Sequence, residues 1–225
     1  MLSNATRFRR TVAGLCLILA PLFLLISNLL QTRSGDIEVL LDEIAERAAA
    51  NEVSLGFALY GFTLMAPAVI GIVHLLRHRS VALGHVGGIL LIAGVVSFAF
   101  VAGTESLLYI AGADPMLNRA TLLAVNERIG VSVVYNLINL TEVFGYALGS
   151  LIVAIALFRA KVVPPLIPLL LIVGIIARFA FASVYAGVVF SDGLYFSAFA
   201  YIGLDVLRQS DEEWERPPAR SPAKP

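Results

Sequence analysis

Residues 131–158 read VSVVYNLINLTEVFGYALGSLIVAIALF, an apolar stretch in which Glu142 is the only charged residue. About 20 largely apolar residues suffice for an α-helix to cross the hydrocarbon core of a bilayer. A charged side chain at that depth costs roughly 2.5–3.5 kcal/mol, so such groups are usually paired or line a cavity. The stretch therefore predicts a transmembrane helix that carries one acidic side chain inside the membrane.

Five further apolar stretches predict helices of the same kind, at about residues 11–30, 53–76, 86–108, 163–185 and 188–207. The turn before the last stretch is expected at Ala186-Gly187 or at Ser191-Asp192-Gly193. The chain of 225 residues is 59% hydrophobic and 14% charged, with a mean hydropathy of +0.87. Soluble domains are about 45–50% apolar and about 25% charged. We therefore expect an all-α bundle of six transmembrane helices within residues 11–207.

The charge, cysteine and motif content exclude several classes of function. Sixteen basic residues balance sixteen acidic ones, so the chain lacks the basic field of a nucleic-acid-binding protein. A single cysteine, Cys16, excludes a disulfide framework and a thiolate metal cluster. The sequence has no nucleotide-binding loop, no His-Glu-x-x-His and no Gly-x-Ser-x-Gly motif. We expect no cofactor and no nucleic-acid partner.

The loops between the predicted spans differ in their content of lysine and arginine. With the N-terminus inside, the inner segments carry Arg7, Arg9, Arg10, Arg77, Arg79, Arg159, Lys161, Arg208, Arg216, Arg220 and Lys224. The outer loops carry only Arg33, Arg47, Arg119 and Arg128. Because cytoplasmic loops are enriched in these residues, we expect both termini in the cytoplasm of a bacterial inner membrane. Residues 1–10 form the N-terminal segment, and the charged, proline-rich residues 208–225 are expected to be a disordered tail.

Two long outer loops are predicted to contain helices, at about residues 36–50 and 114–128. In the first, Ile37, Leu40, Leu41 and Ile44 follow helical spacing on an otherwise acidic segment. An acidic face does not favour anionic headgroups, so we prefer a lid packed on the bundle to a helix adsorbed on lipid. The second loop opens with Asp114-Pro115, an N-cap residue followed by proline at the first helical position.

The second ionisable residue at membrane depth is Arg178, in the predicted fifth span. The fourth and fifth spans are consecutive and antiparallel, and they place Glu142 and Arg178 at similar depth. A salt bridge between the two would satisfy both groups. Gly145-x-x-x-Gly149 follows Glu142 and predicts close packing of the fourth span against a neighbouring helix.

Further polar residues are expected to converge on this pair in a pocket in the outer half of the bundle. Tyr135, Asn139, Glu142 and Tyr146 lie along one face of the fourth helix. Tyr60, Thr63, Thr104, Glu105 and Tyr185 are expected to reach the same region. The predicted ligand-binding residues are Glu142, Arg178, Asn139, Tyr146, Tyr185 and Glu105. The alternative interpretation is a buried ion pair that fixes helix register and binds no ligand.

Three histidines form a second cluster near the inner end of the second and third spans. His74 and His78 lie four residues apart on one helix face, and His85 begins the next span. Imidazole is a common ligand of transition metals and haem. No Asp, Glu or Cys lies nearby in the sequence to complete a ligand set, so these are weak candidates for a metal site.

The order of these features resembles that of uncharacterised six-helix bacterial membrane proteins of the domain-of-unknown-function type. The resemblance covers residues 7–208. It rests on the basic N-terminus, the acidic outer helix, the arginine-containing inner turns and the prolines at Pro164, Pro165 and Pro168. It implies a six-helix membrane fold and carries over no catalytic residues.

The leading functional hypothesis is a non-enzymatic protein that binds or transports a small anionic or lipid-like ligand. Arg178 would meet the anionic group, while Asn139, Tyr146 and Tyr185 would orient the ligand. One alternative is a membrane-embedded enzyme with Glu142 or Glu105 as general base, since an apolar wall raises the pKa of a carboxylate. The other is a structural or signalling subunit whose tail recruits a partner. The expected partners are the lipid bilayer and a small ligand or lipid.

Overall fold

The computed structural model describes residues 2–32, 34, 36–114, 116–181 and 184–215, and every regular element in these ranges is an α-helix. The helices in chain order are α1 (Leu2–Leu30), α2 (Ile37–Glu46), α3 (Ala48–Leu76), α4 (Val81–Gly112), α5 (Arg119–Gly130), α6 (Val133–Ala160), α7 (Leu166–Ala180), α8 (Tyr185–Arg208) and α9 (Asp211–Glu215). The all-α class is as expected.

Five of the helices, α1, α3, α4, α6 and α8, are long and apolar enough to cross a membrane. This supports a membrane protein, although six transmembrane helices are not confirmed. The predicted fifth span is the shorter helix α7, which has 15 residues and rises about 22 Å, less than the hydrocarbon core of about 30 Å. Proline lacks a backbone N–H and restricts the residue before it, which is why Pro164 and Pro165 delay the start of α7.

The turn between α7 and α8 lies earlier than either predicted position. Helix α7 ends at Ala180 and α8 begins at Tyr185, so Gly187 and Asp192 are helical. A Cβ atom on Gly187 would lie 2.2 Å from the Cβ atom of Phe181. Glycine at this position therefore lets the first turn of α8 fold back closely against the end of α7.

Six helices form a closed ring in chain order. Helix α1 packs on α3, α3 on α4, α4 on α6, α6 on α7, α7 on α8, and α8 returns to α1. All six contribute to one hydrophobic core, in which Leu17, Ile72, Leu157 and Phe199 are almost fully buried. Large apolar side chains also cover the outside of the ring, as expected for a surface that faces lipid; Ile89 and Ile176 are examples.

Helices α4 and α6 approach each other at their glycines. A Cβ atom on Gly94 would lie 2.3 Å from the backbone nitrogen of Tyr146, and one on Gly149 would lie 2.4 Å from the backbone nitrogen of Leu91. No side chain fits in either place, so the two backbones are in direct contact. The close packing predicted from Gly145-x-x-x-Gly149 is confirmed.

Helix α2 packs on one end of the ring, which we call the α2 end. Leu41 and Ile44 are buried, and Ile44 packs with Leu55 of α3 and Tyr109 of α4. The helix is shorter than predicted because the backbone at Arg47 leaves helical geometry and α3 begins directly at Ala48. As the apolar spacing indicates, the helix is docked on the bundle.

Helix α5 also lies at the α2 end, but none of its residues is buried. It begins five residues later than predicted. Asn118 is its N-cap and accepts hydrogen bonds from the backbone N–H groups of Ala120 and Thr121, whereas Asp114 accepts one from Met116; Pro115 lies outside the described residues. Arg119 joins α5 to α2 by a 2.6 Å salt bridge to Asp42, and this hydrogen bond raises the pKa of Arg119.

Helix α9 docks at the opposite end of the ring, the α9 end. Trp214 is 3% exposed, and its indole stacks on the His74 ring with centroids 4.3 Å apart. Its backbone carbonyl accepts a 2.6 Å hydrogen bond from Nη2 of Arg77. Partial burial lowers the pKa of Arg77, and the nearby Glu215 carboxylate opposes that shift.

The predicted disorder of residues 208–225 is therefore wrong for residues 208–215, while residues 216–225 lie outside the described part of the chain. Two further salt bridges hold the segment to α1, between Arg10 and Asp211 at 3.1 Å and between Arg9 and Glu215 at 2.9 Å. The charge and proline content of the tail predicts disorder, but Trp214 packs on His74 and its acidic neighbours pair with arginines of α1.

The glycine contact makes Gly94→Ala a sensitive test of the ring. The added methyl group has no space, and overpacking of this kind costs about 1–3 kcal/mol. We expect a lower melting temperature of the purified protein in detergent. The control is Gly103→Ala in the same helix, where nothing lies within 4 Å of the new Cβ atom. Equal melting temperatures for the two variants would contradict the α4–α6 contact.

Removal of the Trp214 side chain should release α9. In Trp214→Ala we expect faster tryptic cleavage after Arg208, followed by mass spectrometry, because the segment loses its stacking on His74. Trp214→Phe, which keeps an aromatic ring, should be cleaved at nearly the native rate. Native-like cleavage of Trp214→Ala would show that the tryptophan does not anchor the segment.

Candidate functional site

A cavity of about 290 Å³ opens at the α2 end between α1, α3, α4, α6 and α7. This volume is near the lower end of the range for small-molecule pockets, about 300–1,000 Å³. Its polar lining consists of Ser27, Asn28, Gln31, Glu105, Glu142, Tyr146 and Arg178. Its apolar lining includes Leu24, Leu55, Phe62, Phe98, Val101 and Phe179. Polar and apolar groups from five helices thus meet around one space.

Glu142 projects from the third turn of α6 into this cavity. The residue is 8% exposed, and within the described ranges its Oε2 atom is buried without a hydrogen-bond partner. A buried carboxylate with no partner is destabilising, because the desolvation of the charge is not repaid. The fold therefore places at the cavity wall an acceptor oxygen that none of the described residues satisfies.

Arg178 also lines the cavity, but its salt bridge is to a different residue from the one predicted. Its Nη1 atom lies 3.3 Å from Oδ1 of Asp192 in α8, and the predicted pair with Glu142 is wrong. The other carboxylate oxygen of Asp192 accepts a 2.6 Å hydrogen bond from Asn28 in α1. This Arg178–Asp192–Asn28 network connects α7, α8 and α1.

The reason for this difference is the position of the turn between α7 and α8. Because α8 begins at Tyr185, Asp192 lies seven residues inside the helix, about 10 Å from its start. The sequence predicts a possible turn at Asp192, which would keep its carboxylate out of the membrane interior. Arg178 reaches the nearer carboxylate on the helix that folds back against its own.

The other predicted site residues divide into two groups. Tyr146 and Glu105 line the cavity. Asn139 is half-buried in the second turn of α6 and does not line it. Tyr185 is 46% exposed and donates a 3.2 Å hydrogen bond to the backbone carbonyl of Leu29, which joins α8 to α1.

The predicted convergence of the second-span residues on the pocket is wrong. Tyr60 is 66% exposed on the outside of the ring. The exposed Thr63 donates its hydroxyl hydrogen bond to the carbonyl of Leu59 in its own helix. Thr104 of α4 does the same with Phe100. A hydroxyl group that donates a hydrogen bond to a carbonyl of its own helix needs no other partner and can face lipid. The threonines in these spans are therefore no evidence of a pocket.

Sequence reasoning missed one wall of the cavity. Asn28 and Gln31 belong to the polar end of the first span, which was interpreted only as the limit of an apolar stretch. Three aromatic rings form another part of the wall: Phe62 and Phe98 stack at 5.3 Å, and Phe98 meets Tyr146 edge-on at 5.5 Å. The amide of Asn28 within an apolar span is a feature of the sequence that could have indicated a polar site. The meeting of aromatic rings from three helices depends on the packing.

The histidines do not form a site with one another. His74 stacks on Trp214, and Nδ1 of His85 lies 2.8 Å from the carbonyl of Val81 in its own helix. His78 is exposed. Among the described residues, no three His, Cys, Asp or Glu side chains are grouped to hold a metal ion.

Comparison of the chain with models of protein families, with curated proteins and with solved structures finds no match. The resemblance to uncharacterised six-helix membrane proteins therefore stays a prediction. The residues of the cavity carry the functional argument.

A double-mutant cycle tests the ion pair. Asp192→Asn should lower the melting temperature, since it removes one partner of a partly buried ion pair; the cost of about 3–5 kcal/mol for a fully buried pair is the upper limit. Adding Arg178→Gln should restore part of the loss, because no charge is then left unpaired. Glu142→Gln should leave stability unchanged or raised. If Glu142→Gln restored the melting temperature of Arg178→Gln and Asp192→Asn did not, the Arg178–Asp192 salt bridge would be contradicted.

Proposed function

We propose that this chain is a multi-span protein of a bacterial inner membrane that binds a small polar ligand in the cavity at the α2 end. One observation carries the proposal: the buried carboxylate of Glu142 lines the cavity, and its Oε2 atom has no hydrogen-bond partner in the described part of the chain. A ligand that donates a hydrogen bond to this oxygen would offset the cost of burying it.

A purely structural role for these polar groups explains less. The Arg178–Asp192–Asn28 network already connects three helices by satisfied contacts. Glu142 takes no part in it, so helix register does not require a carboxylate at this position. Proteins commonly keep such locally unfavourable groups at sites of function.

The distribution of basic residues supports an orientation with the α9 end in the cytoplasm and the cavity facing outward. Arg9, Arg10 and Arg77 lie at the α9 end, where they contact the chain segment that contains α9. The α2 end carries the acidic helix α2. Cytoplasmic segments are those enriched in Lys and Arg, and in this orientation the ligand enters from outside the cell.

Blocking the cavity tests the binding proposal. Ala102 lines the cavity, whereas its neighbour Gly103 faces open space. We expect at least one member of a panel of amines, carboxylates, amino acids and polyols, at millimolar concentration, to raise the melting temperature of the wild type and of Gly103→Phe. Ala102→Phe should not respond. A panel without any effect on the wild type, or with equal effects on Ala102→Phe, would overturn the proposal.

Cysteine labelling tests the orientation. In a Cys16→Ser background, cysteines at Glu43 of α2 and at Asn118 before α5 should react with a membrane-impermeant thiol reagent in intact cells. A cysteine at the exposed His78 should react only after lysis. The reverse pattern would place the cavity on the cytoplasmic side.

A further inference from the structure

We propose that the ligand of this cavity is a small organic cation, an ammonium group attached to a short carbon chain or ring. The inference rests on the proposed function and adds the ligand's chemical class. It replaces the anionic ligand expected from the sequence, because that expectation assumed that Arg178 would pair with Glu142 and be free to turn toward an anion.

The pairing of charges around the cavity favours a cation. The positive charge of Arg178 is matched by Asp192 at 3.3 Å, and Asp192 is held in place by Asn28 at 2.6 Å. Among the described residues, Glu142 makes no salt bridge and its Oε2 atom accepts no hydrogen bond, although the residue is only 8% exposed; Arg178 acts on its charge only from a longer distance. A bound ammonium group would supply both the opposite charge and the N–H donor that this oxygen lacks.

The aromatic part of the wall suits the same ligand. The ring of Phe98 contacts those of Phe62 and Tyr146, and all three residues line the cavity together with Glu142. The face of an aromatic ring attracts a cation, and its carbon surface packs against the apolar part of an amine. A carboxylate next to aromatic rings is the chemistry by which proteins commonly recognise amines.

An anion would bind at a disadvantage. It would have to approach the buried carboxylate of Glu142, with which it has no favourable contact. It would also compete with Asp192 for Arg178, and its success would leave Asp192 without its guanidinium partner. The volume of about 290 Å³ limits the occupant to a small molecule.

A matched set of probes tests the charge requirement. The probes are n-butylammonium, n-butyrate and n-butanol, which share a carbon chain and differ in charge. We expect n-butylammonium to raise the melting temperature of the wild type and the other two probes to have little effect. Glu142→Gln should weaken the response to n-butylammonium about tenfold or more, as expected for the loss of a charge-assisted hydrogen bond.

Two variants control the experiment. Glu127→Gln makes the same chemical change on the exposed surface of α5 and should respond as the wild type does. Glu142→Asp keeps the carboxylate and should still prefer the ammonium probe. This second variant tests the inference even if Glu142→Gln does not fold.

The possible results separate the two proposals. Stabilisation by n-butyrate or by a neutral member of the wider panel, without an effect of any amine, would overturn the cation inference and leave the binding function standing. Stabilisation of Glu142→Gln by n-butylammonium equal to that of the wild type would also overturn it. No stabilisation by any compound would overturn both.

Discussion

The salt bridge between Arg178 and Asp192 determines what the rest of the cavity can do. In a low-dielectric interior, each charge needs a partner, and this bridge settles which charges are matched. Asp192 takes the guanidinium and Asn28 holds Asp192 from α1. Glu142 is left at the cavity wall with an oxygen that no described residue bonds. Because Arg178 pairs with Asp192 and not with Glu142, a ligand in the cavity meets the negative charge of Glu142.

The ring of helices keeps this arrangement in place. Gly94 and Gly149 bring the backbones of α4 and α6 into contact. This contact holds Tyr146 of α6 against Phe98 of α4 and keeps Glu142 of α6 on the same cavity. At the turn between α7 and α8, the absence of a side chain at Gly187 lets α8 fold back on α7. The cavity lies at the α2 end, and α2 packs beside it on Leu55 and Tyr109.

The helical class, the ring helices and the docking of α2 could be predicted because apolar spacing and length are local properties. Four of the six predicted site residues line one cavity for the same reason: charged or polar groups in apolar stretches are easily read. The partner of Arg178 could not be predicted, because it depends on where the turn between α7 and α8 lies. The residues on both sides of that turn are apolar, so the sequence does not mark its position. The docking of Trp214 and the aromatic wall are contacts between distant segments, which no local pattern specifies.

The most direct test of this account is an experimental structure of the protein with a bromine-labelled arylalkyl ammonium compound, in which anomalous scattering locates the bromine. We expect the ammonium nitrogen within hydrogen-bond distance of Glu142, the ring against Phe62 and Phe98, and Arg178 still paired with Asp192. A structure with Arg178 bonded to Glu142, or with the bromine outside the cavity, would contradict it.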